Sequence, residues 1–237
     1  MKAENWKKEL EMLANQEKAK ILSGFFKTGK GQYGEGDIFI GITVPQNREV
    51  AKKYCDAPLD DIKELLYSPI HEFRFSALAT LVLQYKKCKE EEKRKVLVDF
   101  YLANTSHVNN WDLVDLSCPY ILGEYLLNRS HEILFKLSES TNLWEQRIAI
   151  VTTLTFIRNG SFDTTLSLSE KYLTHKHDLI HKATGWMLRE IGKKDTTVLK
   201  RFLDRHAAHM PRTALRYSIE KLPLNERNYY MSRKSST

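Results

Sequence analysis

The sequence predicts an all-α protein whose helix pairs stack as HEAT-like repeats into a curved α-solenoid with a basic concave groove. Three observations carry that expectation. Apolar residues recur three and four apart, as in Leu78, Leu81, Val82 and Tyr85 or Ile180, Ala183, Met187 and Ile191, while strand-like alternation is nearly absent. Turn-forming punctuation returns along the chain at Ser68-Pro69, Thr105 to Asn110, Ser140-Thr141-Asn142, His175 to Asp178 and Met210-Pro211. Positive charge also gathers at one end: from Lys182 onward there are 13 basic and 5 acidic residues, a net of +8, within a chain whose net charge is +7.

Taken in order, a first helical region leads into Thr28-Gly29-Lys30-Gly31-Gln32-Tyr33-Gly34-Glu35-Gly36-Asp37, whose four glycines exclude a helix and mark a loop over 28–37. A short extended run from Ile38 to Thr43 follows, before Pro45. Beyond it the punctuation separates helix pairs. Aligning their second helices places Arg74, Asp115, Arg147, Lys182 and Arg212 in register, at intervals of 41, 32, 35 and 30 residues. These approximate the period of HEAT-like repeats, in which one helix of each pair lines the concave face. One charged residue per repeat would then line a groove able to track a phosphate backbone. The chain reads as a single domain over 1–237, with a flexible tail over 224–237.

Composition narrows the function classes. With 42% hydrophobic and 28% charged residues the chain is globular. Cys55, Cys88 and Cys118 have no paired spacing, so neither a disulfide framework nor a cysteine-rich metal site is expected, and a reducing cytoplasm fits. No apolar run approaches a membrane span or the core of a signal peptide. The basic C-terminal quarter points to an anionic partner, although solvated helix faces rich in Lys and Arg would give the same count.

Three segments carry candidate chemistry. Asn109-Asn110-Trp111-Asp112-Leu113-Val114-Asp115 opens with a residue able to cap a helix and sets Trp111 and Asp115 four apart on one face. Pro119 should kink or end that helix. Taken alone, the motif fits a core aromatic and a solvated carboxylate at least as well as a site. Asn142-Leu143-Trp144-Glu145-Gln146-Arg147 repeats the design, with Trp144 expected in the core and Arg147 able to fork two hydrogen bonds onto a phosphate or onto a neighbouring acid. In the third, Asp178 to Gly192, Lys182, Trp186 and Arg189 form one stripe opposite Ile180, Ala183, Met187 and Ile191. A tryptophan between two cations suits a nucleic-acid surface, where phosphates attract the cations and the ring packs on sugar or base.

Two weaker motifs are discounted. Gly29-Lys30-Gly31-Gln32-Tyr33-Gly34 matches a dinucleotide fingerprint literally, but no strand precedes it and no helix opens on it. Its amides and Lys30 remain able to meet a phosphate. The pairs His177/His181 and His206/His209 lack a third ligand at familiar spacing, so no metal site is expected.

Over roughly residues 20 to 222 the chain resembles the AlkD-like alkylpurine DNA glycosylases, bacterial base-excision enzymes built from HEAT-like repeats. The resemblance rests on Gly41-Ile42-Thr43-Val44-Pro45 with Arg48, then Trp111-Asp112-Leu113-Val114-Asp115, Trp144-Glu145-Gln146-Arg147 and Gly185-Trp186-Met187-Leu188-Arg189-Glu190. It implies that Asp115 is the catalytic carboxylate, that Trp111 and Trp186 contact the lesion nucleotide's sugar, and that Arg147 and Arg189 hold the backbone near it. Lys182, Arg48, Lys30, Arg74 and Arg212 complete the expected DNA contacts. It also implies recognition through sugar and backbone without a deep base pocket. Thr43 stands where some members carry Gln, and the stretch Gly29 to Gly36 is an insertion relative to them. The expectation is a monomeric, cytoplasmic glycosylase acting on duplex DNA with N3- or N7-alkylated purines, without metal, organic cofactor, membrane or obligate protein partner. A non-catalytic binder of damaged or branched DNA is the alternative, and a helical scaffold for an acidic protein is the third reading.

Overall fold

The computed structural model describes residues 2–233 and is all-α, as expected. Its helices are α1 (Lys2–Glu11), α2 (Gln16–Phe25), α3 (Val44–Lys53), α4 (Leu59–Leu66), α5 (His71–Lys87), α6 (Glu91–Ala103), α7 (Trp111–Cys118) and α8 (Glu124–Leu126). There follow α9 (Glu132–Ser138), α10 (Leu143–Thr152), α11 (Leu154–Arg158), α12 (Asp163–Lys171), α13 (Asp178–Lys194), α14 (Thr196–His206), α15 (Arg212–Ser218) and α16 (Leu224–Ser232). Each stretch of punctuation falls at the junction between successive α-helices, with Asp178 opening α13. Although the sequence reads as one domain, its contacts divide into two compact units, one ending at Ile121 and the other beginning at Leu122.

The first unit is organised by α5. This helix is buried almost all round from His71 to Val82, because α1, α3, α4, α6 and α7 all pack on it. Leu78 and Leu81 of α5 are fully enclosed, as are Trp6 of α1 and Ile62 and Leu65 of α4. Burial on every side requires internal partners for the polar residues of α5. Trp6 donates its indole N–H to Ser76 at 2.9 Å, and Thr80 donates to the Ala51 carbonyl at 3.1 Å.

The glycine loop is a chain of turns, and the extended run after it meets the residue before α5 by an isolated parallel bridge, Ile38 to Ile70. Buried Glu72 then grips the run: its carboxylate accepts the backbone N–H groups of Ile40, Gly41 and Ile42, the shortest at 2.8 Å from Gly41. Gly41 is required there twice over. Its φ is +86°, and a Cβ would lie 2.0 Å from the Asn15 carbonyl oxygen.

An Asn caps α7 as the segment's opening suggested, and it is the second of the pair, Asn110, that accepts the Trp111 N–H at 2.8 Å. Pro119 ends that helix, and the chain continues through the π-helical turn Pro119–Gly123.

The second unit is organised by α13, on which α10, α11, α12, α14 and α15 pack. Ile180, Ala183, Met187 and Ile191 are all buried, as their spacing predicts. Gly185 lets α15 approach, since a Cβ there would meet the Ala214 carbonyl oxygen at 2.4 Å. The stretch expected as a flexible tail instead begins with α16, anchored by buried Tyr230, whose hydroxyl donates to Asp204 at 3.0 Å. Lys234, part of the same tail, lies outside the described residues.

Gly41→Ala is expected to destabilise the protein by about 2 kcal/mol or more, because it adds backbone strain to a close contact. Urea unfolding of the variant against wild type measures this.

Candidate functional site

In the first unit the site is built around α7. The indole of Trp111 stacks on Phe26 (ring centroids 5.2 Å apart, planes 15° apart), with Phe25 against it edge-on at 6.0 Å. Phe26 stacks on Phe39 at 4.9 Å, and Phe39 on the His71 ring at 4.5 Å. Trp111 is therefore the outer, half-exposed member of a column whose inner end is a buried histidine.

That histidine lies between two carboxylates. Its Nε2 lies 2.8 Å from an Asp112 oxygen and its Nδ1 3.2 Å from an Asp37 oxygen, and two carboxylate acceptors favour the doubly protonated imidazolium, which donates from both nitrogens. Asp37 also receives Arg74 Nη2 at 2.6 Å and Asn110 Nδ2 at 3.0 Å. Burial acts to lower the His71 pKa, but the charge and bond of Asp112 and the bond to Asp37 outweigh it and raise the pKa. For Asp37 burial acts upward, and the His71 bond, the Arg74 charge and the Asn110 bond together hold the carboxyl below its ordinary range.

The two acids of α7 thus have different surroundings. Asp112 is committed to His71 and also accepts the Leu113 N–H at 2.9 Å. Asp115, one turn beyond Trp111, is half-exposed on the face they share.

In the second unit Lys182, Trp186 and Arg189 are half-buried along one stripe of α13, as expected. Each already has a local partner. Lys182 pairs with Asp178 at 2.8 Å, Arg189 with Glu220, and the Trp186 indole N–H donates to Glu190 at 3.2 Å. Arg147 is 5% exposed, and one of its N–H groups donates to the Leu179 carbonyl at 2.8 Å, tying α10 to the start of α13. Trp144 is in the core.

Residues 6–222 match the family described as "DNA alkylation repair enzyme". The chain belongs to that DNA alkylation repair family. No curated protein matches its sequence. Among solved structures it is similar to a "Predicted DNA alkylation repair enzyme from Enterococcus faecalis", with a TM-score of 0.69 over 89% of this chain and 97% of that one. At 17% identity this likeness concerns the fold.

Within this DNA alkylation repair protein the expected cations separate by surroundings. Arg48 and Lys30 are exposed. Arg212 is exposed but donates to the Met231 carbonyl at the end of α16. Arg74 corrects the expectation of a groove cation: it is 3% exposed, donates to Asp37 and the Ser68 carbonyl, and is an internal counterion. No helix is long and apolar enough to cross a membrane among the described residues, nor do three His, Cys, Asp or Glu side chains converge there as a metal site.

Sequence reasoning missed Asp37, His71, Glu72 and Asn110 as a set. The available signal was an ionisable triplet, His71, Glu72 and Arg74, opening a helix with an otherwise apolar interior. It was also silent on Phe26, whose aromatic neighbour Phe25 was its only local mark.

The raised His71 value sets a pH dependence. Its stabilisation is complete below the ordinary histidine pKa of 6.5 and is lost as pH rises through the raised folded value. For Asp37 the sign reverses: its contribution is present above the ordinary 3.8 and is lost as pH falls through the lowered folded value. In urea unfolding, the gap between wild type and His71→Gln is expected to be about 3 kcal/mol at mildly acid pH and to shrink with increasing alkalinity. A gap constant across that range would show that the buried ring is uncharged.

Proposed function

We propose that the protein is a monofunctional DNA glycosylase that hydrolyses the N-glycosidic bond of N3- or N7-alkylated purines in duplex DNA. The observation that supports this most is the shared face of α7, where Trp111 is fixed by the Phe26 stack and half-exposed Asp115 lies one turn away. Family membership supplies the damage class. An alkylated purine already carries positive charge, so it departs without the general acid that a neutral glycoside needs. As the C1′–N bond breaks, its electron pair neutralises the departing base and leaves an oxocarbenium-like sugar. The Asp115 carboxylate and the indole face of Trp111 stabilise that cation. Water adds to C1′ and gives up a proton through Asp115, yielding free base and an abasic site with the strand uncut.

Trp186 and Arg189 on α13 serve as sugar and backbone contacts in this reading, with Arg147 supporting the start of that helix. The Lys182–Asp178 pair is largely exposed, and exposed ion pairs contribute only about 0–1 kcal/mol, so a phosphate can exchange for Asp178 at little cost. The protein acts alone, as a cytoplasmic monomer without cofactor.

The test is release of free base from duplex containing N7-methylguanine or N3-methyladenine. Asp115→Asn is expected to lower excision at least ~100-fold while leaving DNA affinity intact or raised. A fully active Asp115→Asn would remove the assigned carboxylate, and no release by wild type, with salt-sensitive binding retained, would favour a non-catalytic binder. In the same duplex, log affinity should fall with log salt at about 0.9 per phosphate neutralised, and Arg147→Ala should weaken both binding and excision.

A further inference from the structure

The first unit holds a cluster of reactive side chains that the excision reading leaves unused. A surface recess of about 590 Å³ opens where the turn after α3, the end of α5 and the start of α6 meet. Two cysteines line it, Cys55 and Cys88, and both are partly exposed. Three lysines, Lys87, Lys89 and Lys93, share the lining with the carboxylates of Asp56 and Glu90. A recess of this size lies within the range of small-molecule sites.

The two sulfurs have opposite hydrogen-bond roles. Lys87 Nζ donates to Cys55 Sγ at 2.9 Å, at the surface, whereas the Cys88 S–H donates to the Glu90 carbonyl at 3.4 Å. The bond to Cys55 raises the Lys87 pKa, so that side chain remains an ammonium. A cation donating to a partly exposed sulfur stabilises the negative charge on which thiol nucleophilicity depends, and a thiol held as a donor lacks that support. Cys118 is fully buried and takes no part. The lysines also select what the sulfur attacks. Lys93 pairs with Glu90 at 2.8 Å, but Lys87 and Lys89 make no ion pair among the described residues and are open to carboxylates from outside.

We propose that Cys55 is a thiolation site: it attacks a small disulfide bearing carboxylates, of the glutathione type, and keeps one half as a mixed disulfide in the recess. The Cys55 sulfur, its proton lost to water, attacks one sulfur of that disulfide. A new S–S bond forms as the old one breaks, and the electron pair leaves on the second half, which takes up a proton as a free thiol. Cys55 is thereby oxidised and the departing half reduced, with no other oxidant required. Lys87 is released from Cys55 and, with Lys89, pairs with the carboxylates of the retained half. The proposal goes beyond excision and does not depend on it.

The test incubates the full chain with oxidised glutathione and follows each cysteine by peptide mass spectrometry. Cystamine, a disulfide with amines in place of carboxylates, is the comparison. One glutathione should appear on Cys55, should be removed by dithiothreitol and should be missing from Cys55→Ser, while Cys88→Ser reacts like wild type. Lys87→Met should slow the reaction at least ~10-fold by removing the cation from the sulfur. Lys89→Glu should slow glutathione and speed cystamine. Both lysines are exposed, so these variants keep the fold even where Cys55→Ser does not. Asp115→Asn should be modified as wild type is, so failure of the excision reading would leave this result untouched. The proposal is overturned by no labelling, by equal labelling of Cys55 and Cys88, or by a Lys87→Met rate equal to wild type. It is overturned too if cystamine outpaces glutathione in wild type, or if a Cys55–Cys88 disulfide forms in place of the retained half.

Discussion

The buried Asp37 carboxylate is the constraint on which the first unit depends. A charge removed from water costs several kcal/mol unless paired and hydrogen-bonded, and Asp37 meets that condition chiefly through His71, Arg74 and Asn110 together. Those partners come from the first turn of α5 and the residue that caps α7, while Asp37 itself closes the glycine loop. One carboxylate thus fixes three segments far apart in the chain. The glycine loop, which matched a dinucleotide fingerprint, is better understood as the tether that delivers Asp37. Its Gly31 and Gly36 adopt positive φ, which allows tight turns at little backbone cost.

From this core the arrangement at α7 follows. His71 draws Asp112 inward and holds it against a positive charge, while the same ring ends the aromatic column that supports Trp111. Of the two acids three residues apart on this helix, Asp112 is thereby drawn into the interior beside His71, while Asp115 stays half-exposed. The column also borders a cavity of about 300 Å³: Phe26 presents a ring to Trp111 and contributes to the cavity wall. A change in how that ring sits would be felt on both sides, since packed rings have little room to adjust independently.

Much of this was legible in the sequence, and what was not has a physical reason. The apolar stripe of α13, the cap at Asn110 and the break at Pro119 are local features governed by helical period, capping geometry and a missing N–H, which a linear reading captures. The same stripe logic placed Lys182, Trp186 and Arg189 together. It could not supply their partners, because Glu220 lies on another segment, and it ranked Arg74 with the surface cations although Arg74 is the most enclosed of them. Register along the chain indicates which side of a helix a residue occupies, but not whether that side meets solvent or another helix. For α5, buried all round, the distinction vanishes altogether. Asp37 to His71 and Asn47 to Glu72 are contacts across 34 and 25 residues, and nothing in either local window distinguishes those partners from ordinary polar residues.

The same distinction bears on charge. The C-terminal quarter carries a net of +8, yet along α13 the cations closest to Trp186 are locally neutralised by Asp178, Glu190 and Glu220. An excess of charge and a set of unpaired charges are different things. Excess charge attracts a polyanion from a distance and governs how salt weakens the encounter. Paired cations engage only when a phosphate comes near enough to replace the carboxylate, an exchange between partners of the same sign that costs little at a half-exposed site. In the proposed reading, such a surface would hold undamaged DNA less tightly than its composition suggests and reserve its strongest contacts for a strand that approaches α13 closely. For a protein of the DNA alkylation repair family, cations muted in this way around Trp186 would, if α13 meets DNA as proposed, favour discrimination over raw affinity.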